Sequence, residues 1–105
     1  MRIFVLFNLK QGVDVSAYEE WATSTDIPIV NALDSIGSFR VHATTGLLGG
    51  EGSVPYQYVE VIDVADMDAF GTDVATETMK RVSSEFQKFA DNPIFVMSRE
   101  LVSAS

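Results

Sequence analysis

Four segments rich in β-branched and aromatic residues alternate with two helical segments in the order βαββαβ, and the strands carry large apolar residues on both faces. That order suits an α+β fold: a four-stranded antiparallel sheet with both helices on one side, the ferredoxin-like arrangement. Helices cover only one face of such a sheet, so side chains pointing the other way should be polar if that face met water. Phe4, Leu6, Tyr56, Tyr58 and Ile62 are assigned to the uncovered face, and they are large and apolar or aromatic. Such a face calls for a cover. A second sheet from an identical chain is the simplest one, giving a homodimer whose two open sheets close around an apolar cavity.

The first expected strand covers residues 2–9, a nearly continuous run of branched and aromatic side chains that Gly12 ends. Asp14 can cap the helix that follows, and Ser16 with Glu19 fits the reciprocal S-x-x-E capping box. Tyr18, Trp21, Ala22 and Thr25 recur at spacings of three and four and make one face of that helix. Pro28 disfavours helical geometry at Ile27, so the helix should break or kink near Asp26, with a short second turn over 29–33. Residues 38–44 alternate as a strand, with Phe39, Val41 and Ala43 opposed to Arg40, His42 and Thr44. A loop over 46–55, with Gly49-Gly50-Glu51-Gly52 at its tip, joins it in a hairpin to a strand over 56–64. Asp66 can cap the next helix, which Gly71 interrupts. Met79, Val82, Phe86 and Phe89 follow helical spacing over 76–90 until Asp91-Asn92-Pro93 stops that helix. A last strand is expected over 94–102 and a frayed tail over 103–105.

At 105 residues the chain has room for one domain, 1–105, and its 47% apolar content places it in the globular class. Seven Lys and Arg stand scattered against fifteen Asp and Glu, for a net charge of −8. Nucleic acids and anionic membranes both need clustered basic side chains, so both are excluded as partners. A ligand should be neutral or cationic. There are no cysteines, hence no disulfide and no thiolate site. The apolar run 3–7 is too short to span a membrane and lacks the features of a secretory signal, so a cytoplasmic location is expected. The glycine-rich segment lies in a hairpin and opens no helix, so it is not a phosphate cradle. A metal would have only His42 and carboxylates at no recognisable spacing, and no G-x-S-x-G or Cys/His nucleophile occurs. Neither a metal nor a nucleotide cofactor is expected.

Strand alternation groups Phe4, Leu6 and Asn8 with Arg40 and His42, and Tyr58 and Glu60 are placed beside them. Aromatic walls with a few convergent polar groups are the usual composition of a small-molecule pocket. His42 is the only histidine and the only side chain whose unperturbed pKa lies near neutrality. Glu60 or Asp26 could orient it as a general acid/base, or it is simply a strand histidine bonded to backbone. Asp26 either caps the short second turn or points into a cleft at the helix break. Trp21 is core or a ligand-stacking wall. Arg40 and Glu60 make either an ordinary ion pair or part of a catalytic set.

The opening MRIFVLFNLKQGVDVSAYEEWATSTDIPIVNALDSIGSFRV, together with TTGLLGG, PYQYVEVIDVADMDAF and FADNPIF, resembles the RedY-like, or HapK-like, protein family. The likeness runs from Met1 to about Leu101 and lies in the order and spacing of the segments. It implies a dimeric α+β barrel and a place in the biosynthesis of prodigiosin-type or bisindole-type pigments and antibiotics. Such pathways handle electron-rich pyrroles and indoles with reactive imine or enamine intermediates. The segment YEEWATSTDIP also looks like the helix of other dimeric α+β barrel enzymes, which carry a histidine shortly before the proline. Asp26 stands at the comparable position here, so a histidine mechanism is not carried over. Asn8 and Trp21 invite comparison with the asparagine and tryptophan of cofactor-independent monooxygenases in the same superfamily.

The leading expectation is a cofactor-independent enzyme that steers a reactive pyrrole or indole intermediate by proton transfer, through condensation, cyclisation or imine hydration. His42 is its acid/base, with Asp26 or Glu60 as the partnering carboxylate. Arg40, Tyr58 and Asn8 position the ligand, and Trp21 and Phe4 stack on it or exclude water. The rivals are a non-catalytic protein that sequesters a pathway intermediate and a cofactor-free monooxygenase.

Overall fold

The computed structural model describes residues 1–102, so the frayed tail expected over 103–105 lies outside the described residues. Four strands, β1 (Arg2–Leu9), β2 (Ile36–Ala43), β3 (Tyr58–Val64) and β4 (Ala90–Met97), form one sheet in the order β2-β3-β1-β4. All three pairings are antiparallel. The helices are α1 (Val15–Trp21), α2 (Ile27–Asn31), α3 (Met67–Asp73) and α4 (Glu77–Phe89), and a π-helical turn (Ala22–Asp26) joins the first two. The core lies between sheet and helices: Val5, Phe7, Phe39, Tyr58 and Val64 cluster with Tyr18, Ala22 and Val30. This is the ferredoxin-like α+β arrangement.

Pro28 does not break the helix. Ile27 keeps right-handed helical dihedrals, φ −60° and ψ −49°, and the chain stays helical from Val15 to Asn31. The wider π turn precedes Pro28, which sits in the first turn of α2, where its missing N–H is least costly. Asp14 caps α1 by accepting from the Ser16 amide. Glu19 does not close the expected capping box: its carboxylate accepts from the Tyr58 hydroxyl at 2.7 Å. Gly71 leaves α3 uninterrupted.

The last strand begins at Ala90, earlier than the run Asp91-Asn92-Pro93 implied, and ends at Met97. Asn92 takes a positive φ of 45°, and the β1–β4 register slips between Leu6 and Asn8. This irregularity on an edge strand accommodates Pro93, which has no N–H to give a ladder.

Register corrects the face assignments. Glu60 lies opposite both Val5 and Val41, and Tyr58 opposite Phe7 and Ala43, so these residues share the helix-covered face. Ile62, opposite Ile3 and Phe39, joins them. Arg40 lies opposite Val61 and His42 opposite Val59, on the other face. That uncovered face carries Phe4, Leu6, Val59, Val61, Ile94 and Val96, so it is apolar, though by a different set of residues than expected. Alternation shows which residues share a face but not which face meets the core. Sequence reasoning groups Glu60 with the uncovered face on an assumed orientation of its strand, and the fold buries it.

Candidate active site

Asp26 and Glu60 are each only 5% exposed, at the floor of the space between helices and sheet. Glu60 arrives from the middle of β3, where the pleat aims every second side chain at the helices. Asp26 arrives from the last residue of the π turn, and its side chain makes no capping bond there. π turns are frequent at functional sites because they re-aim side chains that a regular helix would point elsewhere.

Tyr18, wholly buried on α1, completes the group. Its hydroxyl and Glu60 Oε2 have no hydrogen-bond partner among the described residues. Around them stand Phe7, Tyr58, Trp21 and Phe89. Phe7 and Tyr58 stack at 5.4 Å, and Tyr18 meets Tyr58 at 4.8 Å and Phe89 at 5.6 Å between ring centroids. An unpaired charge in such surroundings is costly, and the groups respond by holding their protons. Burial raises Asp26 to about 7. Burial first, and then the negative charge on Asp26, raises Glu60 to about 8. Burial and the charges of Glu60 and Asp26 push the Tyr18 phenol well above its ordinary value, so it remains a neutral donor. Both carboxyls therefore hold their protons to far higher pH than exposed carboxyls do, and their titration is shifted toward neutrality.

A pocket of about 100 Å³ lies beside this group, lined by Tyr18, Tyr58, Ala22, Ile27, Val41 and Ala43 among others but by neither carboxyl. A much larger open groove, about 790 Å³, lies at another part of the sheet against Phe4, Arg2, Asp63 and the segment 98–100. It contains neither the buried carboxyls nor Tyr18 and Tyr58, which line the smaller hollow.

The remaining sequence candidates separate from this group. His42 and Arg40 are exposed on the uncovered sheet face, so neither the His42–Glu60 pair nor the Arg40–Glu60 ion pair forms. Phe4 shares their face, opposite Val61. The side-chain amide of Asn8 is bonded to the β2–β3 loop, donating to the Pro55 carbonyl at 3.1 Å and accepting from the Gln57 amide at 2.9 Å. Trp21 donates its indole N–H to Glu85 Oε1 at 2.8 Å, tying α1 to α4. Tyr58 is brought to the buried group as a wall, its hydroxyl held by Glu19. The residue that sequence reasoning missed is Tyr18, read only as one of a helical apolar set. Its signal is the i, i+3 and i+4 spacing that places Tyr18, Trp21 and Ala22 on the face Asp26 also joins.

Over residues 1–101 the chain matches the family described as REDY-like protein HapK. It belongs to that family. The crystal structure of HapK from Hahella chejuensis superposes with a TM-score of 0.72 at 25% identity, covering 100% of this chain and 99% of that one. The At3g17210 protein of Arabidopsis thaliana gives 0.75 at 16% identity, over 97% of both chains. A dimeric ferredoxin-like protein of unknown function from Thermobifida fusca gives 0.69 at 18% identity, over 90% of this chain and 85% of that one. The last two share the fold alone. No curated protein sequence matches the chain. Among the described residues no helix is long and apolar enough to cross a membrane.

Proposed function

We propose that this HapK-family chain is a cofactor-independent acid/base enzyme acting on a small pyrrole- or indole-type intermediate, with Asp26 as base and Glu60 as acid. One observation carries the reading: two buried carboxyls, raised to about 7 and about 8, share an aromatic enclosure with Tyr18 and Tyr58, which line a neighbouring pocket. Tyr18 supplies a neutral hydroxyl donor, and Tyr58, steadied by Glu19, walls the ligand. Imine hydration, condensation and cyclisation each need a proton given and a proton taken, which this pair does without a metal or a nucleotide. The RedY-like resemblance supports a setting in prodigiosin- or bisindole-type biosynthesis, and the lack of a secretory-signal pattern in the opening apolar run supports a cytoplasmic location.

The working unit is a homodimer. The uncovered face is apolar across three strands, and a neighbour of the same fold is described as dimeric. In that pairing Phe4, Arg40 and His42 face the seam between sheets, away from the acid pocket.

Purified protein added to a pathway extract should change the product mixture seen by mass spectrometry. Asp26→Asn should slow that change by about a hundred- to ten-thousand-fold, the usual worth of positioned acid/base catalysis. An unchanged mixture together with tight retention of an intermediate would establish the sequestering protein instead. The monooxygenase reading loses its support, because the Asn8 amide and the Trp21 N–H are both committed to structural bonds.

A further inference from the structure

An open groove and a fully exposed leucine stand at opposite ends of the sheet. The groove, about 790 Å³, lies where β1 begins and β3 ends, against Phe4 and Gly37. The other end, where β2 stops and β3 starts, carries the loop 44–57, with Leu47 and Leu48 exposed at its tip and Leu48 completely so. The tip is a formed turn. The Gly50 amide donates to the Leu47 carbonyl at 3.3 Å, and Gly49 takes the positive φ of 67° that the third position of a type II turn requires. Leu48 is thus held at the corner of that turn, while Asn8 and Thr44 fasten the base of the loop. A leucine presented in this way buries nothing within its own chain. The Cα radius of gyration, 15.0 Å against about 13 Å for a compact domain of about 100 residues, likewise shows chain standing off the body.

Charge matches the two ends. Arg2 and Asp63 pair with each other in the groove, which leaves Arg99 and the Met1 ammonium against Glu100 on its rim. The loop 44–57 has one charged side chain, Glu51, three residues beyond Leu48. Neither Arg99 nor Glu51 belongs to an ion pair among the described residues. Symmetry can bring the ends together. A two-fold axis lying in the seam and across the strands reverses strand direction between the two sheets, so each loop lies toward the other chain's groove. An axis along the strands would instead set loop beside loop.

We propose that two copies of this chain exchange their β2–β3 loops, each seating Leu48 in the other's groove over Phe4, with Glu51 near Arg99. The exchange rests on the homodimer proposed above and adds which end of one chain meets which end of the other.

The chain has no cysteine, so introduced ones report the contact without background. Leu48→Cys and Ala65→Cys, the latter at an exposed position lining the groove, are prepared as separate full-length proteins. Mixed, allowed to exchange subunits and treated with a short bismaleimide, they should give a covalent heterodimer, and neither variant alone should cross-link. Leu48→Cys linking to itself, or no mixed product from a protein that sediments as a dimer, overturns the loop exchange and leaves the homodimer standing. A monomer by sedimentation removes both. Leu48→Asp changes a side chain exposed in the single chain, so its thermal melt below the dimerisation range should match wild type. Its dimer dissociation constant should rise at least about tenfold, the scale of one leucine side chain withdrawn from burial. An unchanged constant means that the groove is left open or takes another occupant, and overturns the proposal.

Discussion

Glu60 shows how burying a single carboxyl ties stability to pH. Its folded pKa of about 8 lies above the ordinary value of 4.5, so between those limits the folded chain holds more protons than the unfolded one. Stability is therefore highest below that window and falls as pH rises through it. Glu60→Gln removes the penalty and should gain on the order of 1–3 kcal/mol at pH 8.5, with little change at pH 5.5. Thermal melts at the two pH values read this directly, and equal losses at both would refute the burial argument. The same substitution should abolish turnover, as is common where active sites store instability. A reaction needing Asp26 ionised and Glu60 protonated should be fastest between about 7 and about 8, with an acid limb from Asp26 and an alkaline limb from Glu60. His42→Ala should leave both limbs in place; the loss of either would return the histidine to the mechanism.

Among the elements, the π turn and the β2–β3 loop do the positioning. The helical path from Val15 to Asn31 holds Tyr18 and Asp26 on one buried side, and the turn's extra residue makes that alignment possible. Local rules foresaw a break there because Pro28 disfavours helical geometry at Ile27, and packing outweighed that preference. The loop is fastened at its base by Asn8 and by Thr44, whose hydroxyl donates to the Tyr56 carbonyl at 2.7 Å. Asn8→Ala removes two hydrogen bonds to loop backbone and should cost about 1–2 kcal/mol in urea unfolding. Protease cleavage in the glycine-rich tip should accelerate in parallel. If the loop resists cleavage as before, Asn8 is not its anchor.

At the level of the whole molecule, the sheet's uncovered face decides how the chain lives in solution. Leu6 stands near its middle, opposite Val59 on one side and Ile94 on the other. Sedimentation equilibrium at micromolar concentration should return twice the chain mass of 11.5 kDa. Leu6→Glu should return a single chain, because a carboxylate pressed between two apolar sheets has no partner. A wild-type chain that sediments as a stable monomer would remove the homodimer.

By itself, the sequence determined the βαββαβ order, the ferredoxin-like fold, the family, and the presence of one face too apolar for water. The order, fold and apolar face rest on period, capping and composition, which are local, and the family on a resemblance in the order and spacing of segments. It also singled out Asp26 and Glu60 as carboxylates worth attention. Only the tertiary structure decided which face of β3 meets the helices, and with it the partnership of Glu60 with Asp26 and Tyr18 in place of His42 and Arg40. Strand alternation is blind to a half-turn about the strand axis, and only the register of β3 against β1 and β2 removes that ambiguity.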